Sequence, residues 1–249
     1  MHEKRKEDFI YGTRAIIEAI QASKEIEKLL IQKDVKNELT AELMTLVRER
    51  SIPTTRVPLE KLNRVTRKNH QGAIAFISAI SYSSLDHIIS TTFEKGETPL
   101  LLVLDRVTDV RNFGAIARSA ECAGAHGIII PSHGSAQINS DAMKTSAGAL
   151  NYIPVYRSDN LKKTLREIQE NGIQLVACTE KASDSLYDTN LTDPVALIMG
   201  SEEDGISHEF LRIADHMCKL PINGQIQSLN VGVAASVGLY EAVRQRNAQ

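Results

Sequence analysis

Three polar clusters in the second half of the chain contain the side chains best suited to chemistry. They span 105–121, 199–205 and 223–230, and each follows a short apolar run. Glycines within them allow tight turns and a close approach of the backbone to a ligand. The side chains of interest in these clusters are Asn112, Arg118, Glu202, Ser228 and Asn230. Such groups can bind and orient a polar or anionic ligand, but they do not define a reaction.

Several well-known catalytic signatures are missing. The first cluster, DRVTDVRNFGAIARSA, has no GxGxxG, and the chain contains neither GxxxxGK[ST] nor GxSxG. These absences argue against a nucleotide-dependent α/β enzyme of the Rossmann or P-loop type and against a hydrolase of the nucleophile-elbow type. There is no HExxH, and the three cysteines, Cys122, Cys178 and Cys218, are too far apart for the usual zinc spacings. We therefore expect no metal site.

The elements that must position these clusters alternate after Pro99. The run LLLVLDRV at 100–107 is typical of a strand covered on both faces. Helical and strand patterns then alternate up to a last helix at 228–245, which predicts a parallel sheet with helices on both faces. In such sheets ligands bind beyond the carboxyl ends of the strands, where the three clusters fall.

The first part of the chain differs from the second in its pattern of elements and in its charge. Residues 1–78 read as a compact αβ unit, 79–98 as a Ser- and Thr-rich linker around a short helix, and 99–249 as the α/β domain. Residues 1–78 carry 15 Lys and Arg against 11 Asp and Glu, whereas the remainder carries 14 against 20. This asymmetry suggests that the first unit contacts a polyanion, although a solvated charged surface explains it equally well.

The sequence shows neither a membrane-spanning segment nor a secretion signal. No apolar run is long enough to span a bilayer, and the first residues, MHEKRKEDFI, form no apolar signal core. We expect a cytoplasmic protein with no membrane partner.

Taken together, the clusters resemble three motifs of the SpoU, or TrmH-like, family of RNA ribose 2′-O-methyltransferases in the SPOUT (α/β-knot) superfamily. The motifs read DVRNFGAIARSAECAGAHG, LIMGSEEDG and LPINGQIQSLNVGVAASVGLYE, in the family's order. The segment from YGTRAIIEAI to HQGAIAFIS resembles the small L30e-like RNA-binding domain of large-subunit rRNA guanosine methyltransferases. Ser201 and Gly232 depart from the family pattern, but both are small replacements.

The resemblance implies a deep trefoil knot, in which the last segment passes through a loop. Knots are rare, so sequence patterns alone would not favour one. The small residues of VGVAASVGLYEAV suit a threaded helix, although an ordinary tightly packed helix explains them too. The resemblance also implies a homodimer through the knot domain, with an active site near the interface. Arg118 would then serve its own cofactor or that of the partner.

The implied reaction is transfer of a methyl group from S-adenosylmethionine to a ribose 2′-hydroxyl, with guanosine in 23S rRNA as the expected target. Arg118 would lie near the reacting proton, and an electrostatic clamp suits it better than a base because arginine is almost never neutral. Asn112 would orient Arg118 or the ribose, or cap a helix. Glu202 would fix its loop or hold Arg118. Ser228 and Asn230 would hold the cofactor loop and the substrate, or cap the last helix. The expected cofactor contacts are Gly200, Leu220, Leu229 and Thr179.

A basic cluster in the first unit is the candidate RNA contact. Arg64, Arg67, Lys68 and His70 stand close together in NRVTRKNHQG and are predicted to contact phosphate. Few aromatic residues lie nearby, so base stacking is not the obvious mode of RNA binding. Tyr11 and Phe9 are the only local candidates. Two alternatives remain open, namely a tRNA ribose methyltransferase and a non-catalytic RNA-binding protein on the same fold.

Overall fold

The computed structural model describes residues 9–226 and 228–248, and the chain divides into two compact units. The first unit comprises the residues up to 81 together with 137–140. The second comprises 82–136 and the residues from 141 onward. None of the helices in the described ranges has both the length and the apolar character needed to cross a bilayer.

The first unit is a four-stranded sheet with helices on both faces. Its elements are β1 (Phe9–Tyr11), α1 (Thr13–Gln21), β2 (Ile26–Gln32), α2 (Glu38–Glu49), β3 (Thr54–Val57), α3 (Leu59–Val65) and β4 (Ala73–Ile77). The strand order is β1-β4-β2-β3, with only β2 and β3 parallel. Ile16 of α1 and Leu43 of α2 pack on one face, and Leu62 of α3 packs on the other.

The second unit is the predicted α/β domain. Its helices are α4 (Leu85–Glu94), α5 (Val110–Cys122), α6 (Ser140–Thr145), α7 (Leu161–Glu170), α8 (His208–Leu211) and α9 (Val231–Arg246). Its strands are β5 (Leu100–Leu104), β6 (Gly127–Pro131), β7 (Val155–Ser158), β8 (Gln174–Cys178), β9 (Asp184–Ser185), β10 (Val195–Met199) and β11 (His216–Lys219). All seven strands are parallel, in the order β7-β6-β5-β10-β8-β11-β9. The apolar run at 100–104 is fully buried, as expected for a strand covered on both faces.

The stretch predicted as a linker, 79–98, is largely part of the second unit. Within it, α4 buries Leu85, Ile88 and Ile89 in the same core cluster as Leu101 and Val103 of β5. The spacing of these three residues places them on one helical face, and burial of that face fixes the helix to the sheet. Composition rich in Ser and Thr concealed this, because Ser84 caps the helix, Ser90 is exposed, and the buried Thr92 hydroxyl donates to the Ile88 carbonyl at 2.7 Å.

The sheet brings the three polar clusters to one edge. Leu104 pairs with Met199 at the ends of β5 and β10, and the Asp105 amide donates to the Met199 carbonyl at 2.8 Å. The clusters at 105–121 and 199–205 therefore start side by side. Strand β11, two places away from β10 in the same parallel sheet, leads into the third cluster.

Small residues let α9 pack closely against α5 and β10. Gly232 faces Ala115 and Ile116 of α5, and the Ser236 hydroxyl donates to that of Ser119 at 2.7 Å. Gly238, on another side of α9, faces the end of β10. Close packing on two elements accounts for the small-residue composition. The trefoil knot stays a prediction.

Two buried helical glycines should respond oppositely to substitution by alanine. A methyl group at Gly114 would lie 2.6 Å from Thr145 and 3.0 Å from the Ala142 carbonyl oxygen, whereas at Gly238 it would lie 3.4 Å from Leu197. We expect Gly114→Ala to lower the free energy of unfolding by about 1–3 kcal/mol. Gly238→Ala should leave it unchanged or raise it by up to about 1 kcal/mol, because alanine favours helices. Denaturant unfolding of both full-length variants tests this, and equal losses would contradict it.

Candidate functional site

Three side chains, one from each polar cluster, form a hydrogen-bonded triangle. The Asn112 amide donates to the Glu202 carboxylate at 3.0 Å. The Asn230 amide donates to the same carboxylate oxygen at 2.6 Å and to the Asn112 carbonyl oxygen at 3.1 Å. The structure thus brings together residues that are 90 and 118 positions apart from Asn112 along the chain.

Helix capping explains how the two asparagines are placed. The carboxylate of Asp109 caps α5 by accepting from the backbone nitrogen of Asn112 at 2.8 Å, so the Asn112 side chain is not required as the cap. Asn230 does cap α9, because its side-chain oxygen Oδ1 accepts from the backbone nitrogen of Gly232 at 2.9 Å. Its NH₂ group remains available for Glu202. Capping and triangle formation therefore coexist at Asn230.

Arg106 secures the loop that carries Glu202, and sequence reasoning did not single it out. Its guanidinium donates to the Asp105 carboxylate at 3.2 Å, the Asp204 carboxylate at 2.9 Å and the Gly205 carbonyl at 3.1 Å. Burial disfavours its charge, but hydrogen bonding and charge attraction from the two carboxylates prevail and raise the pKa of Arg106. The sequence did contain a signal for this contact: Arg106 follows one predicted strand, and the acidic loop GSEEDG follows another.

The Arg106 backbone is itself unusual. Its φ is 59°, in the left-handed region that non-glycine residues seldom occupy. Asp105, which is only 2% exposed, accepts from the Ser207 amide nitrogen at 2.7 Å as well as from Arg106. The buried carboxylate is therefore paired on both sides, and these contacts hold the strained turn in place.

At Gly200 the end of β10 lies close against the backbone of the loop that follows it. Ser201 and Gly205 exchange backbone hydrogen bonds of 3.1 and 3.0 Å, which fold the loop back over Gly200. A Cβ atom at Gly200 would lie 2.1 Å from the Gly205 carbonyl carbon and 2.2 Å from the Ile206 nitrogen. Only glycine fits without a shift of the backbone.

A cavity of about 530 Å³ opens beside the triangle. All four residues predicted as cofactor contacts line it, namely Thr179, Gly200, Leu220 and Leu229. Glu202, Ser228 and Asn230 line it too. Apolar side chains, glycine backbone and a few convergent polar groups are the usual composition of a small-molecule site.

Arg118 lies elsewhere on α5. It is exposed and is not among the residues that line this cavity. Six residues along an α-helix correspond to about 1.7 turns, so Arg118 and Asn112 point in directions roughly 120° apart. The structure does not bring Arg118 to the triangle of its own chain, and its role stays a prediction.

The basic cluster of the first unit splits in two. Arg64, Arg67 and Lys68 are exposed, whereas His70 is only 6% exposed. The His70 ring lies 3.0 Å from the Asn63 side-chain oxygen through Nε2, and its Nδ1 accepts from the Gly72 amide at 3.1 Å. Both ring nitrogens are thus engaged inside the unit, which leaves three of the four predicted residues able to reach a phosphate.

Among the residues that the structure describes, no group of three or more His, Cys, Asp or Glu side chains could hold a metal ion.

Comparison with known families gives two matches, one in each part of the chain. The model described as "SpoU rRNA Methylase family" matches residues 99–240. The model described as "RNA 2′-O ribose methyltransferase substrate binding" matches residues 9–83. The triangle and the cavity lie within the first match.

Among similar proteins, the 23S rRNA (guanosine-2′-O-)-methyltransferase RlmB of Vibrio parahaemolyticus is 36% identical over 96% of this chain and 97% of its own. Among solved structures, the SpoU methyltransferase AviRb of Streptomyces viridochromogenes, in complex with AdoMet, has a TM-score of 0.62 at 26% identity, covering 97% of this chain and 91% of its own. The A. aeolicus TrmH/SpoU tRNA modifying enzyme has a TM-score of 0.57 at 29% identity, covering 65% of this chain and 85% of its own.

The tight fit at Gly200 gives a prediction with a matched control. Gly200→Ala should push the 201–205 loop away, break the contacts of Glu202 and lower the free energy of unfolding by about 1–3 kcal/mol. Gly224→Ala should have no such effect, because its added methyl group would meet no atom within 4 Å. Denaturant unfolding and amide hydrogen exchange of residues 201–205 measure both effects. Unchanged exchange in Gly200→Ala would show that the loop tolerates a side chain.

Proposed function

This chain belongs to the SpoU rRNA methylase family and is an S-adenosylmethionine-dependent RNA 2′-O-methyltransferase, and we propose that its target is a guanosine of 23S rRNA. The observation that carries the methyltransferase activity is the Asn112–Glu202–Asn230 triangle beside a cavity of suitable size. Support for the ribosomal substrate comes from RlmB, which matches both units, whereas the tRNA modifying enzyme matches only 65% of the chain.

The cavity fits the cofactor. Its volume of about 530 Å³ lies within the range of small-molecule sites, roughly 300–1,000 Å³. S-adenosylmethionine supplies a methyl group on a sulfonium that is its own leaving group, so the chain need not activate the donor. We assign its binding to the backbone at Gly200, to Thr179, and to the apolar side chains of Leu220 and Leu229.

A cysteine beside the cavity has a raised pKa, which suits a methyl donor. The sulfur of Cys178, which lines the cavity, lies 3.7 Å from that of Cys218. The hydrogen bond with Cys218 and burial raise the pKa of the Cys178 thiol well above its usual value. The thiolate is the nucleophilic form, so a neutral thiol does not compete with the RNA for the methyl group.

Arg118 is the proposed electrostatic clamp. A guanidinium is protonated at every accessible pH, so it suits stabilisation of a phosphate or of the developing 2′-oxyanion better than proton removal. The triangle then acts by holding the cofactor loop in register, with Glu202 as its shared acceptor. Intact contacts among these residues argue against the non-catalytic alternative.

A second copy of the chain is the proposed partner of α9. Val233 and Tyr240 are 49% and 51% exposed on one side of this helix, and Leu229 just before it is 42% exposed. We propose that a homodimer covers this apolar stripe through a two-fold interface. Because Arg118 does not line the cavity of its own chain, the dimer would let it serve the partner's cavity.

Methyl transfer tests the proposed activity directly. The protein is incubated with methyl-labelled S-adenosylmethionine and with separate pools of unmodified rRNA and tRNA. We expect label in 23S rRNA that makes one ribose resistant to alkaline cleavage. Arg118→Ala should lower the rate by about 100-fold or more. Arg166→Ala, an exposed arginine on α7, is the matched control and should not.

Other outcomes separate the alternatives. Label only in tRNA would move the substrate to tRNA, and the 23S proposal would fail. Cofactor binding without label in any pool would favour the non-catalytic RNA-binding protein. Equal losses in the Arg118→Ala and Arg166→Ala variants would reject the assigned role of Arg118.

The proposed dimer gives a separate prediction. Tyr240→Arg should place a charge in the interface and halve the molar mass measured by light scattering at micromolar concentration. Tyr152→Arg, at a side chain that is 78% exposed on the second unit, is the matched control and should leave the mass unchanged. A monomeric wild-type protein over the whole concentration range would refute the interface.

A further inference from the structure

We infer that one face of the sheet in the first unit is a stacking surface for unpaired nucleotides of the substrate RNA. The inference rests on the proposed function for the identity of the RNA, and it adds a binding site and a binding mode in the first unit. The surface, called here the aromatic face, consists of Phe9, Tyr11, Phe76, Lys28 and Lys68.

Strand register places three of these residues in one row. Phe9 of β1 pairs with Phe76 of β4, and Phe76 pairs with Lys28 of β2. Directly opposed residues of antiparallel strands lie on the same face of the sheet. The rings of Phe9 and Phe76 are 6.0 Å apart, and Tyr11, two positions along β1, has its ring 6.4 Å from that of Phe9.

Helix α3 buries the neighbouring row, in which Leu30 and Ile74 form a cluster with Leu62 and Tyr11 stands at the end. Phe9 and Phe76 pack against that cluster and remain half-buried. Aliphatic side chains would pack against this core equally well, so packing alone does not require phenylalanine at these two positions.

Positive charge surrounds the rings. The Lys68 ammonium lies 5.5 Å from the centre of the Tyr11 ring, and Lys28 stands at the other end of the aromatic row. Arg64 and Arg67 are exposed in the segment leading to Lys68. Rings that can stack on bases, with cations beside them to meet phosphates, match single-stranded RNA. An apolar peptide would match the rings but would gain nothing from the positive charge beside them.

The first experiment measures binding of a fluorescein-labelled, unstructured RNA of about ten nucleotides to the full-length protein. Phe9→Leu and Phe76→Leu should each weaken affinity about tenfold and leave the salt dependence unchanged, because leucine keeps the apolar packing but cannot stack. Lys28→Ala should instead flatten the dependence of affinity on salt by about 0.7 in the log–log slope. Phe93→Leu, at a ring 45% exposed on α4, is the matched control and should change neither.

The second measurement needs no variant and so does not depend on variant folding. Ultraviolet irradiation of the wild-type protein with 5-iodouridine RNA should cross-link the peptides that contain Phe9, Tyr11 or Phe76, as read by mass spectrometry. Cross-links confined to other peptides, or unchanged affinity in folded Phe9→Leu/Phe76→Leu protein, would overturn the inference and leave the face to a protein partner.

These readouts are independent of methyl transfer. If the wild-type protein stacks RNA on this face but methylates none of the pools, the proposed function fails and the surface stands. If it methylates 23S rRNA while the phenylalanine variants bind as the wild type does, the surface fails and the function stands.

Discussion

The site depends on a single carboxylate that holds three loops together. Glu202 accepts hydrogen bonds from Asn112, in the first turn of α5, and from Asn230, the cap of α9, and each stands in a segment that follows another strand. Hydrogen bonds to a charged group are shorter and stronger than those between neutral groups. The parallel sheet has already brought the loops to one edge, so little further chain entropy is lost when the carboxylate joins them.

The position of that carboxylate is in turn set by backbone constraints. Gly200 lets the loop fold back against the end of β10. Arg106 links Asp204, on the far side of the loop, to Asp105 at the end of β5. A loop fixed at both ends presents Glu202 in one place rather than in many. Such preorganisation suits a transfer reaction in which the chain contributes positioning more than chemistry.

The two units divide the proposed task. The second unit contains the cavity and the triangle, where a methyl donor fits, and the first unit contains the exposed basic residues and the aromatic face. Stacking tolerates any base, so an aromatic face alone would supply affinity more than sequence choice. Selection of one ribose then falls to the geometry around the cavity.

The sequence alone determined the parallel α/β architecture of the second unit, because apolar runs that alternate with helical patterns leave few other solutions. The resemblance of its three motifs to those of a known family pointed to every residue of the triangle. It could not reveal that Asp109 rather than Asn112 caps α5, that His70 is buried, or that α4 belongs to the second core. Nor could it reveal that Arg106 contacts Asp204 and Gly205. Hydrogen-bond partners, burial and register depend on residues far apart in the chain, and only the tertiary structure decides which of them meet.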